Sequence, residues 1–386
     1  MYPRIISLSK TNSFFLFGAR GTGKSYILSK IFSEETSLYI DLLDPELVNE
    51  LSSYPNNLLS LIEITNNTKK LDWIIIDEVQ KVPALLEIVH KLIFEKKFKF
   101  ALTGSSARKL KRGSANLLAG RAFIFNLFPL TYQELNDDFN LLDVLSFGSL
   151  PEIYKFTNTL DKKRFLKSYT QTYLKEEVII EQIIRKLPPF RRFLDIVGHS
   201  CTEIINYSNI AKDVSTDPKT IQRYFEILED TLLGFFLPSY SKSIRKQQKK
   251  SKKFYLFDCG VIRTLTNQLD NKVIEKTYEY GILFENFIVN EINRLLNYKE
   301  VQFKLSFLRI SETSEIDLII ELSNKTFVCE IKSTNNIDIR HASTLINFKN
   351  DFKDAEFILI SNDKTKKQFE NVSALFWKDA ISHILS

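Results

Sequence analysis

Through its first third the chain alternates continuous apolar runs with amphipathic stretches. Runs from Ser13 to Phe17, Ser37 to Leu42, Asp72 to Ile76, Lys99 to Thr103 and Ala122 to Leu127 predict strands. The run Trp73-Ile74-Ile75-Ile76 has no polar alternation, as expected of a parallel strand covered on both faces. Between the runs, Ser25 to Phe32 places Ile27, Leu28 and Ile31 on one helical face. Pro45 to Thr65, broken near Pro55, and Pro83 to Glu95 also read as helices, the latter opened by a proline at an N1-like position. Strands alternating with helices predict an α/β fold built on a parallel sheet.

Beyond Pro129 the period changes. Leu130 to Ile153 and Lys162 to Ile184 carry apolar residues three and four apart, as in Phe165, Tyr169, Tyr173 and Leu174, and predict helices. Phe190 to Val197 is a further helix after Pro188-Pro189. Ser208 to Val214 reads as a short helix, 215–218 as a turn and Lys219 to Glu229 as a longer helix, the outline of a helix-turn-helix. A strand follows at Phe254 to Phe257. From Gly281 the pattern starts afresh: a helix to Leu296, strands at Val301 to Leu308, Glu315 to Ile320, Thr326 to Lys332 and Glu356 to Ile360, and a helix from Trp377 to Leu385. The expected division is an α/β core over 1–130, a helical segment over 131–200, a segment with the helix-turn-helix outline over 201–258 and a second α/β domain over 259–386.

Composition narrows the class without deciding it. The 386 residues are 44% hydrophobic and 26% charged, a globular balance with room for two or three domains. No apolar run is long enough to cross a bilayer, and Phe14 to Phe17 is too short for a signal peptide. Cys201, Cys259 and Cys329 are far apart, which argues for a reducing cytoplasm and against disulfides or a zinc site. The formal net charge is +6. A single stretch exceeds it: Lys242, Arg245, Lys246, Lys249, Lys250, Lys252 and Lys253 occur with no acid among them. Such a run reads as an exposed hairpin tip, lying in solvent or on a polyanion.

The chemistry concentrates first at Gly18-Ala19-Arg20-Gly21-Thr22-Gly23-Lys24-Ser25. Strand, glycine loop and helix together make the P-loop pattern, in which backbone N–H groups and a helix N-terminus face phosphate. Lys24 is expected on the β- and γ-phosphates of ATP, and Ser25 on Mg²⁺. Asp77-Glu78, ending the apolar run, fits Walker B: Asp77 supports the Mg²⁺ shell and Glu78 polarises the attacking water. Thr103 and Ser105, after the next strand, are candidate γ-phosphate sensors, or simply part of a turn of small residues. Of Arg108, Arg112 and Arg121, Arg121 is the candidate finger toward a neighbouring subunit's nucleotide, which would make the active form a homo-oligomer.

Together with Asp77-Glu78-Val79-Gln80, Thr103-Gly104-Ser105-Ser106 and Leu118-Ala119-Gly120-Arg121, this set resembles a bacterial and archaeal family of AAA-type ATPases with an uncharacterised C-terminal region. Gly148-Ser149-Leu150-Pro151-Glu152 matches that family's Gly-Gly-Leu-Pro-Glu turn except at Ser149. The resemblance covers essentially the whole chain. It implies an ATP-binding core, a helical lid, a winged-helix-like segment and a nuclease-like tail.

In the tail, Glu330 and Lys332 lie two apart on one strand and so share a face, and Asp317 sits on the strand before. With Glu285 on the preceding helix, the set resembles the PD-(D/E)xK nuclease core. There Glu285, Asp317 and Glu330 would hold one or two Mg²⁺, and Lys332 would orient the activated water. His341 reads as a surface residue. Lys219, Thr220, Gln222 and Arg223 open the second helix of the helix-turn-helix, where base and phosphate contacts are made. Two functions follow. One is an ATPase with a nuclease-like tail acting on nucleic acid, DNA in the first instance. The other is a nucleotide switch whose tail binds or assembles without cleaving.

Overall fold

The computed structural model describes residues 2–95, 97–105, 120–173, 187–241, 252–309, 311, 314–352 and 354–386. Its first sheet contains β1 (Phe14–Phe17), β2 (Ser37–Asp41), β3 (Trp73–Asp77), β4 (Lys99–Gly104) and β5 (Phe123–Asn126), in the order β2-β3-β4-β1-β5 with every pairing parallel. Alternating side chains feed two cores, as a strand's pleat requires. Phe14, Leu16, Trp73 and Ile75 pack with Ile27 and Leu28 of α1 (Lys24–Ile31) on one face. Phe15, Phe17, Ile74 and Ile76 face Leu51, Leu58 and Leu85 on the other, carried by α2 (Pro45–Ser53), α3 (Asn57–Thr68) and α4 (Leu85–Phe94). The helix break predicted at Pro55 therefore falls between α2 and α3.

The middle of the chain is more broken than its periodicity suggests. In place of one helix over 130–153 there are α5 (Tyr132–Leu135) and α6 (Leu141–Phe147). Asn136 leaves the helical region at φ 46°, Asn140 caps α6, and Gly148 ends it at φ 78°. A Cβ at Gly148 would fall 1.9 Å from Asp258 Oδ1, whose carboxylate instead accepts Ser149 N–H at 2.7 Å. The Gly148-Ser149 turn is thus a fitted joint between distant segments. α7 (Thr159–Ser168) runs into one π-helical turn, Tyr169–Tyr173, and the predicted continuation through Leu174 to Ile184 lies outside the described residues.

α8 (Leu187–His199), α9 (Tyr207–Asp213) and α10 (Pro218–Asp230) follow, then the antiparallel pair β6 (Gly234–Pro238) and β7 (Lys252–Leu256). Asp217 caps α10 by accepting Thr220 N–H. Two helices and a hairpin form on an aromatic core of Phe190, Phe193, Tyr224, Phe225 and Phe254. Of the basic run, Lys242, Arg245, Lys246, Lys249 and Lys250 lie outside the described residues. α11 (Cys259–Leu265) packs on α6 and α8, so it joins this middle region and not the tail in which a boundary at 259 had put it.

The tail opens with α12 (Tyr278–Tyr298), which carries a second sheet: β8 (Phe303–Arg309), β9 (Glu315–Leu322), β10 (Thr326–Lys332), β11 (Ala355–Ser361), β12 (Lys367–Phe369) and β13 (Val372–Phe376), in the order β12-β13-β11-β10-β9-β8. α13 (Ile339–Asn347) covers one face and α14 (Trp377–Leu385) the other, beside α12. β6, β12, β13, α11 and α13 went unpredicted, because each is short or lies in a mixed polar stretch. One apolar cluster joins the middle and the tail, from Ala19 and Leu130 through Phe225 and Phe284 to Ile384. Trp377 meets Tyr132, Phe139 and Phe287 edge-on or tilted within it.

Candidate nucleotide site and tail cleft

β1 delivers the glycine loop to the N-terminus of α1. Gly23, the residue before the helix, has φ 94°, a conformation open to glycine at little steric cost. Lys24 is buried and donates to the carbonyls of Gly18 at 2.7 Å and Ala19 at 3.4 Å. Its ammonium is 3.8 Å from Glu78. Ser25 Oγ donates to Asp77 Oδ2 at 2.5 Å, so a hydroxyl from α1 and a carboxylate from β3 meet at one point. Thr103 donates to the other oxygen of Asp77 and accepts Glu78 N–H at 3.0 Å. These are hard oxygen donors of the kind Mg²⁺ takes, and the set fits that ion.

Glu78 stands just past β3 with φ 58° and ψ 45°. Its carboxylate accepts from Gln80, whose amide also donates to Ser105 Oγ at 3.3 Å. The predicted residues Lys24, Ser25, Asp77, Glu78 and Thr103 therefore converge, with Ser105 one bond further out. Sequence reasoning missed Tyr39, which donates to Asp77 Oδ2 at 2.5 Å, and Gln80, quoted only as part of a motif. Gln80's place two residues beyond Glu78 was its signal.

Two further residues tie the loop to the rest of the molecule. Tyr169 donates to the Arg20 carbonyl at 2.8 Å. Arg4, with its side chain 6% exposed, donates to Thr22 O at 2.7 Å, Phe128 O at 2.6 Å, Glu134 Oε1 at 2.9 Å and Tyr298 Oη at 2.9 Å. Arg121 is elsewhere. It precedes β5, whose Phe123 pairs with Phe14 at the end of β1 opposite Gly18, and it lies against His90 and over Phe94 at 5.0 Å. It is not part of this chain's own nucleotide site. Ser106, Arg108, Arg112, Leu118 and Ala119 lie outside the described residues.

In the tail, Asp317, Glu330 and Lys332 line one cleft of about 800 Å³, together with Glu203, Arg309, Glu315, Arg340, His341 and Thr344. Asp317 accepts Ile331 N–H at 2.8 Å, and Lys332 donates to Glu330 Oε1 at 2.5 Å. Glu330 Oε2 is buried and has no hydrogen-bond partner. The expected third ligand, Glu285, does not line this cleft, though it lies close enough for Asp317 to act on it. It accepts Tyr255 Oη at 2.7 Å and faces the Lys253 ammonium at 3.5 Å. Lys253 also pairs with Glu315. Among the described residues no three His, Cys, Asp or Glu side chains are grouped to hold a metal ion, which corrects the expected Glu285, Asp317 and Glu330 centre.

Burial pushes Glu285 up to about 7, with Lys253 opposing and Asp317 adding to the rise. Burial, reinforced by Asp317, takes Glu330 up to about 8. His341 is half-buried and interacts with Asp338 at the start of α13, so it is a capping residue at the cleft. Lys253 is itself a correction to the solvated basic run, since its side chain is only 6% exposed. The signal was the strand period: Lys253 and Tyr255 are two apart and face Glu285 together.

Residues 10–136 match an AAA domain. The match supports an AAA-type ATPase core carrying the P-loop. Residues 138–272 and 280–379 match two domains of unknown function, DUF8612 and DUF4143. Uncharacterised proteins of Mycobacterium tuberculosis and Mycobacterium bovis are each 26% identical over 69% of this chain, and the matched part spans 60% of their own length. An uncharacterised protein of Methanocaldococcus jannaschii is 26% identical over 82% of this chain and 77% of its own. Among solved structures, the Aeropyrum pernix ORC1 protein in complex with DNA overlays 67% of this chain and 87% of its own, at 11% identity and TM-score 0.30. The replication initiator DnaA bound to AMPPCP and single-stranded DNA overlays 68% and 89%, at 14% identity and TM-score 0.29. No helix among the described residues is long and apolar enough to cross a membrane.

Proposed function

We propose that this chain is an Mg²⁺-dependent ATPase whose nucleotide state is read by its middle and tail regions. The observation that carries the reading is the convergence of Lys24, Ser25, Asp77, Glu78 and Thr103 at the end of one parallel sheet. Mg²⁺ would be held by Ser25 with Asp77 behind it, and would neutralise charge on the phosphates. Lys24 supplies a buried positive charge beside the loop. Glu78 is the general base for water, and Gln80 sets the direction of its carboxylate. Thr103 joins Asp77 to the Glu78 backbone, so the ion-binding and base positions are mechanically linked. In this reading the core covers 1–130, the lid and winged-helix-like unit run to about 272, and the nuclease-like domain follows.

DNA is the proposed partner. Lys219, Gln222 and Arg223 are exposed along the first turns of α10, the position from which such a helix contacts bases and phosphates. Arg121 belongs to the proposal only in trans, acting on the nucleotide of a second copy. The test is the steady-state ATPase rate with and without DNA at low and moderate salt, with Lys24→Ala as control. A rate raised by DNA, weakened by salt and absent in the control supports the reading. Turnover surviving in Lys24→Ala removes the P-loop assignment.

A second reading has its own support. Lys253 sits among the tail acids, which favours a nucleotide switch with a non-cleaving tail over a nuclease. A slow rate indifferent to DNA, with no Mn²⁺-dependent nicking, selects it.

A further inference from the structure

Four acids of the tail share two directly paired cations, while Arg309 and Arg340, which also line the cleft, bond Ser311 and Asp338. Glu285, Glu315, Asp317 and Glu330 face two ammonium groups, those of Lys253 and Lys332. Lys332 is bonded to Glu330 Oε1, and the second oxygen of that carboxylate is buried with no partner. Burying a carboxylate oxygen without a donor is costly, so this position calls for a cation or a donor. A second cation comes from outside the tail. Lys253 is borne by β7, and the β6–β7 hairpin is anchored beside β8, where Tyr240 N–H donates to Phe307 O at 2.6 Å and Ser239 bridges to Phe307. The Lys253 stem crosses the Phe307 ring, with its nitrogen 5.5 Å from the centroid, and the ammonium ends between Glu285 and Glu315.

We propose that the tail cleft is a cation site whose resident cation is the Lys253 ammonium, and that a divalent metal enters only when this side chain is withdrawn. A lysine held between two carboxylates does part of what a bound metal would do. It balances the charge of Glu285 and Glu315. It cannot replace a metal's open coordination positions, so water is not activated there. The occupant is borne by β7 of the middle region, so a side chain from outside the tail decides whether a metal can take its place. The proposal rests on reading these acids as a nuclease-like set and makes no use of the nucleotide site.

The test is Mn²⁺ titration of the full chain without nucleotide, followed by Mn²⁺ electron paramagnetic resonance. Tail binding is taken as the part that Glu330→Gln removes. The wild type should show none at millimolar Mn²⁺, and Lys253→Arg, which keeps the charge, should behave alike. Lys253→Met should gain one such equivalent, at least about tenfold tighter than any wild-type signal. Wild-type binding lost in Glu330→Gln overturns the proposal, and that result is available even if Lys253→Met fails to fold. A folded Lys253→Met with no Mn²⁺ also overturns it, and shows in addition that the acids are not a nuclease-like set. Neither result touches the ATPase reading.

Discussion

Glu78 is held in a left-handed backbone turn that a glutamate seldom adopts. The strain places its carboxylate beyond the end of β3, beside Lys24 and within reach of Gln80. Glu78→Gln should therefore keep nucleotide binding and lose turnover by about 10²- to 10⁴-fold, checked by comparing nucleotide affinity with steady-state hydrolysis. Another single residue makes stability depend on pH. Glu291 is buried, accepts Tyr132 N–H at 2.9 Å and lies 3.2 Å from Arg294. Burial pushes its carboxyl up to about 7, with Arg294 opposing. A carboxyl raised in the folded state holds a proton that the unfolded chain has already released, so its contribution is full below the ordinary glutamate range and is lost as pH rises toward 7. Wild type should lose on the order of 2 kcal/mol relative to Glu291→Gln between pH 4.5 and pH 8, as read by urea unfolding. A constant difference across that range would show that Arg294 keeps Glu291 ionised.

Elements carry the coupling between regions. Arg4, from the segment before β1, bonds the backbone of the P-loop at Thr22, the segment after β5 at Phe128, the acid Glu134 of α5, and Tyr298 at the end of α12. Removing it leaves Glu134 buried without its ion pair, so Arg4→Met should cost about 3–5 kcal/mol, measured by denaturant unfolding. The folded fraction should also lose the ATP-induced protection of amides near Tyr298 in hydrogen exchange. Much of this level could be read from the chain itself. The core strands are unbroken apolar runs, and the P-loop is a local string whose geometry follows from its glycines and its place between strand and helix. The tail strands bearing Asp317 and Glu330 were equally clear, because each is a mostly apolar run of seven or eight residues bounded by polar ones. What could not be read is contact across sequence. Arg4 to Tyr298, Tyr169 to Arg20 and Lys253 to Glu285 each join segments with no local cue to the other. Lys253 was misjudged because a run of like charges reads as solvated, and a two-residue period within it is easy to overlook.

At the scale of the whole molecule, the middle and the tail are not separable bodies. They share one apolar cluster, and Arg294 of α12 donates to the carbonyls of Leu130 and Phe257 and to Ser149 Oγ. A chain stopped at 272 should expose that surface and aggregate or lose cooperative unfolding, as seen by light scattering and calorimetry. A sharp, reversible transition in such a fragment would show the middle to be self-sufficient.

The position of Trp377 in that cluster has a consequence for synthesis on the ribosome. The strands of the first sheet all come from residues 14–126, which emerge first. The partners that seat Trp377, namely Tyr132, Phe139 and Phe287, emerge much earlier than Trp377 itself. Until translation reaches α14, the nascent chain carries the P-loop residues beside an unsealed apolar face. During that interval the proposed nucleotide-binding residues have been made, while the regions proposed to respond to them have yet to close.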